Sequence, residues 1–226
     1  MFFWGDSTFI LLIAVLILSF IVQHSVKSRY KKNAKIKNNS NLTGAEAARI
    51  ILDSNGLDYV NIELVKGELT DHYDPRKEVV RLSPHNYNES SISAITIAAH
   101  ECGHALQHAD NYAPLNIRAM VLPVANIGSK GAFPLFLAGL FFSIPILMDV
   151  GIVLFAGALL FHLVTLPVEF NASSRAYIQL RDADIATDDE MKGARSVLNA
   201  AAMTYVATAL MALVQLMRLV LLRSRR

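Results

Sequence analysis

Residues 96–110, TIAAHECGHALQHAD, hold three histidines, one glutamate and the chain's single cysteine within a few helical turns. His100 and His104 are four residues apart, so on a helix their imidazoles leave one face and can share a metal ion. Glu101 follows the first of them and comes round close enough to hold and polarise an attacking water, then pass its proton to a leaving amine. The H-E-x-x-H pattern therefore describes a Zn2+ site with an open position, the metal acting as Lewis acid on a peptide carbonyl. The bland alternative is a polar helix rich in His and Glu by chance, because the motif is short. Small residues Ala98, Ala99, Gly103 and Ala105 surround the pair and let backbone approach its face, which favours the metal. His108 extends the same face, but a ligand there would stand about 6 Å further along the axis; a surface or supporting role fits it better. Cys102 points off that face and reads as a small packing residue.

A third ligand must come from elsewhere in the chain. The extended pattern H-E-x-x-H-x-x-G-x-x-H is excluded, since Gln107 and Asp110 stand where it needs Gly and His. A glutamate on a later helix is the other common solution. Glu169 lies in PVEFNASSRAY, where Pro167 suits a first helical turn and Glu169, Ala172, Ser173 and Ala176 share a face. An unpaired acid beside an apolar segment is costly, which favours Glu169 over Asp182, Asp184, Asp188, Asp189 and Glu190, read as solvated charges. The competing reading of Glu169 is an interfacial carboxylate that closes a membrane helix. For the oxyanion, His72 and Tyr73 of DHYDP can donate, or they can belong to an ordinary turn. Arg175 can do the same, or pair with the acids of segment 182–190. KEVVRL can offer a strand edge to an extended substrate.

The elements that must position these groups divide between lipid and water. The chain has 226 residues, 53% of them hydrophobic, and a net charge of only +2; this composition points to a membrane and gives no footprint for nucleic acid. One cysteine excludes an internal disulfide framework. The uncharged run from Ser7 to Ser25 is long enough to cross a bilayer. It reads as a retained anchor over residues 1–26, not a cleaved signal, because its charges follow the apolar run. Lys27, Arg29, Lys31, Lys32, Lys35 and Lys37 come next while only Asp6 precedes, which puts residue 27 onward in the cytoplasm.

Residues 27–112 read as the catalytic region. Thr43 and Glu46 form a capping box, YVNIEL and KEVVRL are two short strands joined through a turn, and Ser90 or Ser91 caps the His helix to about His108. Residues 113–168 read as a membrane hairpin turning at Asp149-Val150-Gly151, 169–200 as the helix bearing the third ligand, and 201–226 as a last apolar helix. A fourth crossing would put Arg223, Arg225 and Arg226 outside. Either the first helix dominates orientation, or the last helix lies in the interface or packs on the catalytic region. The fold class expected is a mostly α membrane protein with a small α+β zincin-like region.

GELTDHYDPR, VVRLSP, AAHECGHALQHAD, LPVEFNASSRA and GARSVLNAAAMTYVA resemble the YugP-type membrane zinc metallopeptidases of bacteria, over nearly the whole chain. That family is similar in plan to the HtpX group, whose motifs are H-E-x-x-H and E-x-x-A-D. The resemblance implies His100 and His104 as ligands, Glu101 as base, and Glu169 with Ala172 as the E-x-x-A part. Ser173 replaces the last Asp, so orientation of a ligand histidine would be weaker or pass to Asn171 or Asp184. The expected function is zinc-dependent endopeptidase action at a bacterial inner membrane, with the site facing the cytoplasm. The expected partners are a polypeptide substrate, the lipid bilayer and other membrane proteins, with no nucleic acid. Two other classes stay open: a zinc-binding scaffold without proteolysis, and a transporter, for which His162 is the obvious intramembrane polar group.

Overall fold

The computed structural model describes residues 7–224; Asp6, Arg225 and Arg226, used above for orientation, lie outside them. In chain order the elements are α1 (Ser7–Ala34), α2 (Gly44–Ser54), β1 (Asn61–Leu64), β2 (His72–Asp74), β3 (Val79–Leu82), α3 (Pro84–Asn88), α4 (Ile92–Ala109), α5 (Ala113–Phe141), α6 (Pro145–Asp182) and α7 (Asp188–Ser224). The protein is mostly α-helical with four helices long and apolar enough to cross a membrane, α1, α5, α6 and α7, and a small three-stranded sheet. The chain divides into two compact units, one of His24–Tyr112 with Val168–Ala202, the other of the chain up to Gln23, Ala113–Pro167 and the chain from Met203.

In the first unit the local signals act as the sequence implies. Thr43 caps α2 with both halves of a capping box present, and the Ser91 hydroxyl accepts from the Ala94 amide to start α4. These caps satisfy amides that would otherwise have no partner at a helix start. The sheet differs from the expectation of two strands joined through a turn. Its order is β1-β3-β2, with β1 parallel and β2 antiparallel to β3. VVRL is thus the central strand, paired on both sides, and offers no free edge; the edges are β1 and β2. Asp71 anchors the start of β2: its carboxylate accepts from the Ser83 amide at 2.7 Å, from the Ser83 hydroxyl and from the Asn86 amide nitrogen. Ile51, Leu52, Val80, Leu82, Ile95 and Leu180 fill one core, joining α2, the sheet, α4 and the last turns of α6. Glu190 is not a solvated charge. It is buried, accepts from the Thr187 amide and hydroxyl at the start of α7, and takes the Asn39 amide at 2.7 Å on its other oxygen.

In the other unit apolar side chains face outward: Ile10, Phe20, Phe141, Phe142 and Val153 are each at least 70% exposed, as expected where lipid is the solvent. Gly128 of α5 lies against the Leu154 carbonyl of α6, the small-residue contact by which membrane helices approach. The chain turns at residues 142–144, with Ser143 in the left-handed region at φ 55, and not at Asp149-Val150-Gly151, which lie inside α6. Asp149 can sit in an apolar helix because Arg223 donates to both its oxygens, at 2.7 and 3.1 Å. Leu219 packs with Phe136 and Met148 in the same unit. The end of α7 therefore reaches the start of α6, and the chain from Met203 belongs to this unit.

Candidate metal centre

α4 carries His100, Glu101 and His104 near its middle. Gly103 lets α6 come close: a Cβ there would meet the Ala172 carbonyl oxygen at 2.5 Å. That approach brings Glu169, 2% exposed, to the histidine pair, its Oε2 lying 3.3 Å from His100 Nε2 and 3.6 Å from His104 Nε2. Pro167 does not begin a new helix as expected, but sits inside the continuous α6. Glu169, Ala172 and Ala176 still share its buried face.

The protonation of His104 follows from its neighbour. Gln107 is fully buried; its amide nitrogen donates to the Val168 carbonyl at 2.7 Å and to Asn171 Oδ1 at 3.0 Å. Both partners accept, so Gln107 Oε1, 3.0 Å from His104 Nδ1, must receive a proton from that nitrogen. The Nε2 lone pair of His104 then points at Glu169. His100 is held likewise, with Ser173 Oγ 3.3 Å from its Nδ1. The serine at the last position of the E-x-x-A-S run thus stands beside His100, while Asn171 reaches Gln107 and Asp184 is exposed. Three acceptor atoms within 4.8 Å of one another repel unless a cation lies among them. Two imidazoles and a carboxylate are a zinc donor set, so His100, His104 and Glu169 fit that ion.

Glu101 is 8% exposed. Burial pushes its carboxyl pKa upward. Cys102 is fully buried, its thiol 3.7 Å from the Ala48 carbonyl oxygen. The other candidates are dispersed. His72 is exposed on β2, its ring nitrogens against the Thr70 carbonyl and Arg81. The Tyr73 hydroxyl meets His108 Nδ1 at 2.9 Å; burial and nearby Glu78 push its pKa up to about 12, so it stays neutral. Arg175 pairs with Asp110 and Asn171, not with segment 182–190.

Gln107 was used in the sequence only to reject a longer motif. Its signal was its place three residues after His104, one helical turn away. Gln107→Leu should weaken zinc binding by about 10- to 100-fold, the usual cost of removing a hydrogen bond that orients a ligand. Competition with a chromophoric chelator checks this, and a wild-type affinity would remove Gln107 from the site.

The family described as "Putative neutral zinc metallopeptidase" matches residues 8–224. The chain belongs to that family. It is 50% identical over 212 residues to the "Putative membrane protease YugP" of Bacillus subtilis (strain 168), 94% of each chain being covered. No solved structure matches it. Membership in a zinc peptidase family agrees with the donor set of α4 and α6.

Proposed function

We propose that this protein is a zinc-dependent endopeptidase that hydrolyses peptide bonds of membrane or membrane-proximal polypeptides, with its site on the cytoplasmic side of a bacterial inner membrane. The observation that carries the reading is the convergence of His100 Nε2, His104 Nε2 and a Glu169 oxygen beside buried Glu101. Zinc, when bound, supplies a Lewis acid that lowers the pKa of water towards neutrality and polarises the scissile carbonyl. Glu101 takes the proton of the attacking water and gives it to the leaving amine. Gln107 and Ser173 keep the two imidazoles turned towards Glu169. Of the three oxyanion candidates, Tyr73 is protonated throughout the neutral range and its hydroxyl meets the ligand helix at His108. His72 and Arg175 are held by other partners. The cytoplasmic orientation is supported by Lys27, Arg29, Lys31 and Lys32, which follow the apolar run within α1.

The competing reading is a zinc-binding scaffold. Purified protein in detergent should cleave an unstructured, dye-quenched polypeptide, lose that activity to a chelator and regain it with zinc. Absence of zinc-dependent cleavage across a broad set of such polypeptides would leave the scaffold.

A further inference from the structure

A cavity of about 220 Å³ opens between α6 and α7 within the unit that holds the metal centre. Its α6 wall includes Ser173, whose hydroxyl also supports His100, and Phe170, which follows Glu169 directly in the chain. Tyr177 and Leu198 give it an apolar lining; Ser174, Arg195 and Asn199 add hydrogen-bond donors, and no acidic residue lines it. The Arg195 guanidinium lies 5.4 Å from the centre of the Tyr177 ring. Among the described residues Arg195 makes no ion pair with a carboxylate, unlike Arg49, Arg81, Arg175, Arg181 and Arg223. Acids follow close before it in sequence, yet Asp189 is taken by Lys192 and Glu190 by Thr187 and Asn39. An aromatic face fixes the direction of a guanidinium without neutralising it. The cleft is open to solvent, with Phe170, Ser174, Arg195 and Asn199 exposed and Leu198 buried, and its one charged side chain is positive.

We propose that this cavity is a substrate subsite that takes a carboxylate, from an acidic side chain or from a polypeptide C-terminus. The proposal rests on the peptidase reading of the adjacent metal centre. Arg195 presents its fork to the carboxylate, Asn199 and Ser174 offer further donors, and Tyr177 and Leu198 hold the aliphatic part of the residue. An amide of the same shape lacks the charge and binds less well.

The test is direct binding to the zinc-loaded Glu101→Gln protein in detergent, read by fluorescence anisotropy. The probes are dye-labelled peptides with one Glu scanned along a Ser-Ala frame, each matched to its Gln counterpart and each made with a free or an amidated C-terminus. Because Arg195 is exposed to solvent, the carboxylate member of the preferred pair should bind only about three- to fivefold more tightly. Preference within the Glu/Gln pairs identifies a side chain, and preference within the free/amidated pairs a chain end. Arg195→Gln, added to the Glu101→Gln protein, should abolish the preference while zinc content stays the same; Arg195→Lys should keep part of it. Equal affinities within all pairs, or a preference that survives Arg195→Gln, overturn the subsite. A preference lost with Arg195 keeps the subsite even where the zinc-loaded wild-type protein cleaves none of the broad set of unstructured polypeptides, the result that sinks the peptidase reading.

Discussion

Glu169→Gln protein, purified beside wild type and analysed for metal, carries little zinc while wild type carries about one ion per chain. Gln keeps the shape of the side chain but removes the charge that makes its oxygen a strong ligand. Structural zinc sites gain about 10–16 kcal/mol over four ligands, so one ligand is worth about 3 kcal/mol and its loss costs at least about a hundredfold in affinity. The centre should be more sensitive than most, because the carboxylate is buried at 2% exposure against two imidazoles that are themselves fixed by Gln107 and Ser173. His104→Ala should give the same loss. Circular dichroism in detergent separates loss of metal from loss of fold. Full zinc in Glu169→Gln would move the third ligand elsewhere.

Glu101→Gln has the opposite signature. It should retain zinc, since Glu101 is not among the three converging ligand atoms, and lose turnover by about a hundred- to ten-thousandfold, the range a positioned general base contributes. The pH dependence carries the same information. Burial raises the Glu101 pKa, so the carboxyl becomes protonated, and unable to accept the water's proton, at a pH above the ordinary glutamate value of about 4.3. In wild type the acid limb of kcat/KM should report protonation of Glu101, and it should be absent from the residual activity of Glu101→Gln. A variant that loses no turnover would remove Glu101 as the base; on the scaffold reading Glu101→Gln instead leaves the protein's biological effect intact while neither protein cleaves.

The parts of the site visible in the sequence were those set by local spacing. An i, i+4 histidine pair must share a helical face, and Thr43 and Ser91 act as caps through bonds that span three residues. Glu169 was reachable because an unpaired acid beside an apolar segment needs a partner. The parts missed depend on partners far along the chain. Asp149 beside Val150 and Gly151 looks like a turn until Arg223 is known to bind it. DHYDP looks like a turn because Asp and Pro favour one, yet three of its residues pair with the centre of a sheet. The parallel pairing of β1 with β3 has no local signature, since the alternation of Val and Ile is the same for either direction. Gln107 became important only when Val168 and Asn171 fixed which way its amide faces.

The pairing of Asp149 with Arg223 also orders events in time. The two are 74 residues apart, and the ribosome finishes α6 well before the end of α7. Throughout that interval the start of α6 carries a carboxylate without the partner it has in the folded unit. Synthesis of the last turns delivers the guanidinium that removes the charge. A protein without Arg223 would still contain every residue of the metal centre, yet Asp149 at the start of α6 would be left without the guanidinium that pairs with it.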